Sequence, residues 1–260
     1  MENHTPMKIA LLGYGKMNQL IASMAKAAGH EIVLVVDENN RAALTADQLA
    51  SADVAIDFTR PEAAVANIRL AVEASVPVVV GTTGWLGELD AITEEVNAAG
   101  GTLFWASNFS VGVNVFFAAA ERAAQLINQY GGYDVGVEEI HHTQKLDAPS
   151  GTGITLAERV GDQLDAYSSW ALTEVRSPVP QTSIAPAAAP SSDKKPIPIT
   201  SVREAGVPGT HLLTFSSAVD TLELKHTAHS REGFARGALT AAGWVIGRKG
   251  VFTMSDLLGM

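Results

Sequence analysis

The stretch that decides the fold is KIALLGYGKMNQL, residues 8–20. A short β-rich run, KIALL, leads directly into Gly13 and Gly15, and a helical pattern follows. A glycine turn between a strand and a helix lets the backbone approach a pyrophosphate group at the helix N-terminus. The stretch therefore predicts the first strand-turn-helix unit of a dinucleotide-binding domain.

The same alternation continues through the first half of the chain. Strand-like runs occupy 31–36, 53–58, 76–81 and 102–106, and helical patterns lie near 17–29, after Pro61 and near 87–99. Alternating strands and helices build βαβ units, whose parallel sheet is buried on both faces. We therefore expect an α/β fold with a Rossmann-type N-terminal domain.

The pattern changes after residue 110. Helices are expected near 111–129 and 151–165, and strands near 133–141, 197–204, 210–218 and 220–229. Strands that follow one another without intervening helices favour a mixed or antiparallel sheet, and hence a second, central α+β domain.

Two further segments complete the expected organisation. Residues 177–198 are rich in Pro, Ala and Ser and predict a long loop, ordered only in an oligomer. The last helix, 231–249, is expected to pack back onto the first sheet. The predicted domains are therefore 1–109 with 230–260, the dinucleotide-binding domain, and 110–229, the central α+β domain.

Composition excludes several classes of function. The 260 residues carry a formal charge of −10, which argues against binding to nucleic acid or to an anionic membrane. The absence of cysteine excludes disulfides, thiolate zinc sites and a cysteine nucleophile. No apolar stretch approaches the roughly 18 residues that span a bilayer, and the N-terminal residues lack signal-peptide features. We expect a soluble, cytoplasmic protein.

The cofactor is expected to be NADH in preference to NADPH. Asp37 ends the second strand about 20 residues after Gly15, where an acidic side chain accepts hydrogen bonds from a ribose. Asp37 and Glu38 together would repel a 2′-phosphate, although Lys16 and Arg41 lie close enough in sequence to reverse this preference. Asn18 replaces the third glycine of the G-x-G-x-x-G pattern, which weakens the match.

A second loop is a candidate part of the same site. Gly81, Thr82 and Thr83 follow another parallel strand and should lie at its carboxyl end, where ligands of such folds bind. The alternative is a strand-to-loop turn capped by threonines, and the residues alone favour neither interpretation.

The chemistry is concentrated in EEIHHTQKLDAPSGTG, residues 138–153. His141 and His142 alone would indicate one core and one surface side chain, since neighbours on a strand face opposite sides. Lys145 adds a third titratable group, and Ser150, Gly151 and Thr152 open a helix whose N-terminus favours a carboxylate or phosphate. The stretch suits a small acidic substrate. We expect no metal, because the histidines lack ligand partners at a convincing spacing.

This stretch closely resembles the signature of the 4-hydroxy-tetrahydrodipicolinate reductase (dihydrodipicolinate reductase) family. The family pattern runs Glu, one variable residue, His-His, two variable, Lys, one variable, then Asp-Ala-Pro-Ser-Gly-Thr-Ala, and only Gly153 departs from it. The resemblance also covers 13–18, 57–63, 81–85, 108–114, 203–211 and the closing helix. Asn18 is the clearest departure outside the signature.

The resemblance implies an NAD(P)H-dependent reductase of diaminopimelate and lysine biosynthesis. It implies that the domain 110–229 binds the cyclic dicarboxylate substrate and forms a homotetramer through its sheet. It implies that His141 and Lys145 are the acid-base pair. The implied substrate contacts are His142, Lys145, Ser150, Gly151, Thr152 and Thr83. The implied cofactor contacts are Gly13, Tyr14, Gly15, Lys16, Met17, Asp37, Gly81, Thr82, Thr83, Ser107, Asn108 and Phe109.

Two other functions share the cofactor half of this pattern. One is a different Rossmann dehydrogenase, such as an aspartate dehydrogenase or an inositol-type oxidoreductase, acting on another small molecule. The other is a redox sensor that holds NADH without turnover. The stretch 138–153 favours the reductase over both.

Overall fold

The computed structural model describes residues 5–179, 183–184 and 194–260. The strands are β1 (Lys8–Leu12), β2 (Glu31–Val36), β3 (Val54–Asp57), β4 (Val78–Val80), β5 (Thr102–Trp105), β6 (Asp134–His141), β7 (Asp147–Ala148), β8 (Tyr167–Arg176), β9 (Ser183–Ile184), β10 (Lys195–Arg203), β11 (Gly209–Ser216), β12 (Thr221–Ala228) and β13 (Gly250–Phe252). The helices are α1 (Lys16–Ala27), α2 (Ala46–Leu49), α3 (Pro61–Glu73), α4 (Leu89–Ala98), α5 (Val111–Tyr130), α6 (Gly151–Gly161), α7 (Glu232–Val245) and α8 (Met254–Leu258).

The chain packs into two compact units, one formed by the residues up to Val111 with Glu232–Met260 and the other by Gly112–Arg231. The first unit contains a six-stranded sheet in the order β13-β5-β4-β3-β1-β2, with every pair parallel. Its central strands are fully buried, as strands covered on both faces must be. The expected Rossmann-type parallel sheet is therefore confirmed.

The closing helix α7 belongs to the first unit. Ala238, Ala241 and Val245 are fully buried in one core with residues of β1 and α1, whereas Phe234 is only partly buried. A side chain at Gly237 would place its Cβ 1.8 Å from the carbonyl oxygen of Phe109, so this position requires glycine. Small residues therefore let the C-terminal helix complete the first unit, as expected.

The second unit contains a five-stranded mixed sheet in the order β12-β11-β6-β10-β8. The pairs β12–β11 and β11–β6 are antiparallel, and the pairs β6–β10 and β10–β8 are parallel. Helices α5 and α6 contribute to the same apolar core as this sheet. The predicted mixed sheet is therefore confirmed, while the assignment of the units to cofactor and substrate remains a proposal.

Some elements differ from the sequence expectation. Residues 167–176, for which the sequence pattern predicts no strand, form β8 beside β10. Strand β10 begins at Lys195, inside the segment expected to be a loop. The rest of that loop prediction falls largely on residues 180–182 and 185–193, which lie outside the described residues. Strand β13 and helix α8 were also not predicted. Within the described part of the chain, no helix is both long and apolar enough to cross a bilayer.

Candidate active site

One face of the central sheet changes character along its strands. Alternate residues of β6 are buried, so that Val135 and Val137 lie on the same face as Glu139 and His141. The neighbouring strands show the same change from apolar to polar: Ile197 and Ile199 precede Ser201 and Arg203 on β10, and Phe215 and Leu213 lie on the same face as His211 on β11.

Strand register brings the polar ends together. Arg203 on β10 pairs with His141 on β6, and His211 on β11 pairs with Glu139 on β6. All four side chains are buried, and Glu139 is fully inaccessible. Three strands that are distant in sequence thus place ionisable groups at one end of an otherwise apolar face.

Glu139 is the centre of this group. Its Oε2 contacts Nδ1 of His141, and its Oε1 accepts a hydrogen bond of 2.9 Å from Nη1 of Arg203. Burial alone would raise the pKa of Glu139, but the hydrogen bond and charge of His141, with Ser201 and Arg203, lower it to about 2. Because the ionised carboxylate only accepts hydrogen bonds, Nδ1 of His141 carries the proton, and Nε2 is the ring nitrogen left for chemistry.

A glycine keeps space beside that nitrogen. A Cβ at Gly209, at the start of β11, would lie 3.1 Å from Nε2 of His141. A side chain at this position would therefore crowd the histidine on the edge that faces away from Glu139.

The loop carrying Lys145 is tied to the same ion pair. Arg203 donates hydrogen bonds to the carbonyl oxygens of Asp147 (2.7 Å) and Lys145 (3.3 Å). The ammonium of Lys145 lies 2.9 and 2.8 Å from the two carboxylate oxygens of Asp147. The buried guanidinium of Arg203 therefore binds both the Glu139 carboxylate, which contacts His141, and the backbone of the loop that carries Lys145.

The second histidine of the motif shows how basic this region is. His142 is only partly buried, unlike its neighbour His141. Burial lowers the pKa of His142, and the nearby positive groups Arg231, His141, Lys145 and Arg203 lower it further. Basic groups thus cluster here in a chain of net charge −10, and such a cluster is suited to an anionic ligand.

Helix α6 begins beside this cluster. Ser150 is its N-cap, and its Oγ accepts a hydrogen bond of 3.1 Å from the N–H of Gly153 and lies 3.2 Å from Nε2 of His211. Gly151 is exposed and Thr152 partly buried, so the helix start can be approached from solvent, although Ser150 itself is buried. A Cβ at Gly153, where the family signature has Ala, would lie 3.3 Å from the Ser150 oxygen and 3.5 Å from Cγ of Glu139.

His211 is neutral in this network. Burial is the main cause that lowers its pKa to about 3, and the nearby charge of His141 adds to the effect. Ligand atoms of Glu139, His141 and His211 all lie within 4.8 Å of one another, a grouping that sequence spacing did not reveal. The Arg203 guanidinium already balances the charge of the Glu139 carboxylate.

The glycine turn of the first unit lines a cleft at the carboxyl ends of β1, β2 and β3. Gly13 has a φ of +83°, and a Cβ there would lie 2.6 Å from the carbonyl oxygen of Phe58, so the turn requires glycine. The residues around the cleft are Gly13, Tyr14, Gly15, Val36, Asp37, Glu38, Asn39, Arg41, Phe58, Thr59, Arg60, Ala63 and Asn67. No side chain caps the first turn of α1, which leaves its N-terminus suited to a pyrophosphate.

Asp37 lies in this cleft as a carboxylate. Its Oδ1 accepts hydrogen bonds from the N–H groups of Asn39 (2.8 Å) and Asn40 (3.3 Å), and the Asn39 N–H is the main cause of its lowered pKa. Glu38 is paired with Arg60 at 2.6 Å on the surface. The cleft is therefore lined by both acidic and basic groups.

The other expected cofactor contacts differ in exposure. Thr82 is buried, and its hydroxyl donates to Asp57 (2.7 Å) and accepts from the N–H of Thr59 (2.7 Å). Phe109 is 2 % exposed and packs against the rings of Phe58 and Phe104, so it offers a ligand almost no surface. The exposed or partly exposed members are Gly13, Tyr14, Gly15, Lys16, Met17, Asp37, Gly81, Thr83, Ser107 and Asn108.

Comparison with known proteins identifies the family. Residues 7–109 match the family model for the dihydrodipicolinate reductase N-terminus, and residues 112–258 match the model for its C-terminus. The chain belongs to the dihydrodipicolinate reductase family. Dihydrodipicolinate reductases are oxidoreductases that bind NAD(P)H through a Rossmann-type domain.

Individual relatives of this reductase family match the chain over almost its whole length. The 4-hydroxy-tetrahydrodipicolinate reductase of Christiangramia forsetii is 42% identical over 252 residues, covering 97% of this chain and 98% of the relative. The enzyme of the same name from Ralstonia nicotianae is 34% identical and covers 98% and 100%. A dipicolinate-bound dihydrodipicolinate reductase from Paenisporosarcina sp. TG-14 superposes with a TM-score of 0.74 at 25% identity, covering 96% of this chain and 98% of that one.

Four residues of the two sites were missed in the sequence. Glu139, Arg203 and His211 build the network around His141, and Asp57 accepts the hydroxyl of Thr82. Glu139 could have been found from its spacing of two residues from His141, which puts both on one face of a strand. Arg203 and His211 begin and end the segment 203–211 that the family resemblance covers, but their place beside His141 depends on strand order.

Proposed function

We propose that this reductase converts 4-hydroxy-tetrahydrodipicolinate to tetrahydrodipicolinate with NAD(P)H, in diaminopimelate and lysine biosynthesis. The observation that carries the proposal is the buried Arg203–Glu139 pair, which presents His141 beside a cluster of basic groups. The cyclic substrate is a dianion, and a basic cluster in an acidic protein suits it. The relatives named above carry this activity in their names.

In the proposed reaction His141 is the general acid. Bound NAD(P)H supplies the hydride that reduces ring C4 of the conjugated imine formed when the substrate loses water. The displaced electrons must be quenched by a proton, and His141 can deliver it through Nε2 because Nδ1 is held by Glu139. Lys145 assists this transfer.

The substrate carboxylates are assigned to the basic loop and to the start of α6. Lys145 holds one carboxylate as a point charge, for which the substrate must compete with Asp147. His142 and the N–H groups of Gly151 and Thr152 hold the other, with Ser150 fixing the helix start through its cap. Thr83, on the exposed loop of the first unit, is assigned a substrate contact on the family resemblance alone.

NADH is the proposed cofactor over NADPH. Asp37 is held in its ionised form by the N–H groups of Asn39 and Asn40, and a carboxylate accepts ribose hydroxyls but repels a 2′-phosphate. Arg41 is engaged with Asn67 at 2.6 Å, and Arg60 with Glu38, so both nearby guanidinium groups already have partners. A homotetramer, which rests on the family resemblance, and a cytoplasmic location, which rests on the sequence composition, complete the proposal.

The proposal is tested by following oxidation of NADH and of NADPH. The unstable substrate is generated in the cuvette from pyruvate and aspartate semialdehyde by the preceding synthase. Oxidation that requires both the synthase and this protein supports the reductase, and a faster rate with NADH supports the role of Asp37. Folded protein that binds NADH but oxidises neither cofactor would instead favour a different Rossmann dehydrogenase or a redox sensor.

Substitution of the general acid sharpens this test. His141→Gln should lower kcat by roughly 10²-fold or more, the usual contribution of acid-base catalysis, while NADH affinity stays unchanged. His226→Gln, on the neighbouring part of the same sheet, is the matched control and should keep the wild-type rate. A His141→Gln enzyme with the wild-type kcat would remove His141 from the mechanism.

A further inference from the structure

Asn18 occupies the position at which the dinucleotide-binding pattern has its third glycine. The glycine at this position normally permits close packing between the helix and the strand. Asn18 nevertheless lies in the first turn of α1 with no exposed surface. The larger side chain is therefore accommodated inside the fold, directly beneath the glycine turn.

The amide of Asn18 binds the turn itself. Its Nδ2 donates hydrogen bonds to the carbonyl oxygens of Leu12 and Gly13, each at 2.8 Å. Because both partners are acceptors, the nitrogen and not the oxygen must face them. The Leu12 carbonyl also accepts from the N–H of Phe58 at 3.1 Å, so Asn18 holds the same carbonyl that joins the end of β1 to the residue after β3.

The next residue extends the contact. Nε2 of Gln19 donates to the carbonyl oxygen of Tyr14 at 3.0 Å, but at the exposed surface. The carbonyls of Leu12, Gly13 and Tyr14 are thus held in sequence by two adjacent side chains of α1.

This arrangement determines where the N–H groups of the turn point. In a trans peptide the C=O and the following N–H point in opposite directions. The N–H that follows the Leu12 carbonyl accordingly bonds to the carbonyl oxygen of Val36 at 2.8 Å, on the far side from Asn18. By the same geometry the N–H groups of Tyr14 and Gly15 are directed away from Asn18 and Gln19, and both residues line the cleft.

We propose that Asn18 is a positioning residue for the cofactor: its amide clamps the Leu12 and Gly13 carbonyls so that the turn presents its N–H groups to the pyrophosphate. The inference rests on the proposed dinucleotide-binding function and deepens it. The departure from glycine thereby strengthens the cofactor site, contrary to what the sequence pattern alone predicts.

The clamp can be tested without any cofactor, by hydrogen exchange of peptides that cover residues 12–17. Asn18→Ala removes both hydrogen bonds, keeps a good helix former and leaves a side chain small enough for this position. Exchange in the turn should become about fivefold faster, the scale of one net hydrogen bond. Gln19→Ala is the matched control at the adjacent exposed position and should have a smaller effect. Unchanged exchange in Asn18→Ala would overturn the clamp.

The functional consequence is measured by titration with NADH. Asn18→Ala should bind NADH about fivefold more weakly, because the N–H groups lose their fixed direction. Its KM for NADH should rise while kcat and the affinity for dipicolinate stay unchanged, a split that general destabilisation would not produce. Equal or tighter NADH binding by Asn18→Ala would overturn the positioning role. A wild-type chain that binds neither dinucleotide would overturn the proposed function. The hydrogen-exchange experiment would still test separately whether Asn18 holds the turn.

Discussion

Asp57 and Glu139 are both fully buried carboxylates near the ends of strands, one in each unit, yet their pKa values move in opposite directions. Burial raises the pKa of Asp57, and its hydrogen bonds from Thr59, Asn67 and Thr82 oppose this without reversing it. Glu139 meets the same burial, but hydrogen bonding and charge from its neighbours lower its pKa to about 2. The depth of burial does not distinguish the two groups. The charge of their partners does.

The difference separates a scaffold from a reactive site. Asp57 accepts from the hydroxyls of Thr59 and Thr82 at 2.7 Å each and from Nδ2 of Asn67 at 2.7 Å, and these neutral donors join the loops that follow β3 and β4 to α3. Glu139 is held by Arg203 and in turn holds His141. The first arrangement fixes loop positions at the edge of a sheet, whereas the second fixes the protonation of a side chain that the proposed reaction uses.

The largest effect is expected when the charged partner of Glu139 is removed. Arg203→Met leaves a buried carboxylate without its counter-ion and frees the carbonyls of Lys145 and Asp147, so the second unit should lose about 3–5 kcal/mol of stability. Urea unfolding, read by hydrogen exchange in peptides of β6, measures this unit specifically.

A double substitution provides the control for that measurement. Replacing both Glu139 and Arg203 by Met removes the two buried charges together and should recover much of the stability that Arg203→Met loses. If Arg203→Met alone unfolds at the wild-type urea concentration, the guanidinium does not support the network as described.

Removing a neutral partner of Asp57 should cost less. Thr82→Val keeps the side-chain shape but removes the hydroxyl that donates to Asp57 and accepts from the N–H of Thr59. The first unit should lose about 2 kcal/mol, mainly through the hydrogen bond to the carboxylate. Exchange in β3 and β4 during urea unfolding reports the change. The exposed neighbour offers a matched control, since Thr83→Val should stay within about 0.5 kcal/mol of wild type. A loss as large as that of Arg203→Met would erase the distinction between the two carboxylates.

The sequence predicted most of the parallel unit because its signals are local. KIALL forms β1 with the expected bounds. The alternation of strands and helices predicted the sheet, because the pattern of each βαβ unit is complete within about 30 residues. Strand β8 was missed, because YSSWALTEVR lies beside a Pro- and Ser-rich segment and shows only partial alternation of buried positions.

The candidate site was predictable only where its residues adjoin in sequence. One motif contains His141, His142, Lys145 and Ser150. The other two residues come from later strands: Arg203 follows its partner Glu139 by 64 residues, and His211 follows its partner Ser150 by 61 residues. Alternation within β10 and β11 indicates which face these side chains occupy. It does not indicate that β10 and β11 flank β6, which long-range packing decides.

The smallest expected effect is the pH dependence that His211 gives to the stability of the second unit. Burial keeps the pKa of His211 near about 3, whereas a histidine in the unfolded chain titrates near 6.5. Between these values the unfolded state binds the extra proton, so stability is complete above pH 6.5 and falls as the pH decreases. From about pH 7.5 to about pH 5.5 the second unit should lose about 1.4 kcal/mol through His211. Asp57 contributes with the opposite sign, because its raised pKa makes the folded first unit the stronger proton binder.

Urea unfolding of wild type and His211→Gln at both pH values, read by hydrogen exchange in β6 and in β3, isolates the contribution of His211. The His211→Gln variant should lose that part of the pH dependence of stability in β6 only. An identical slope in the variant would mean that His211 is protonated in the folded protein and that the network around Glu139 carries one more charge.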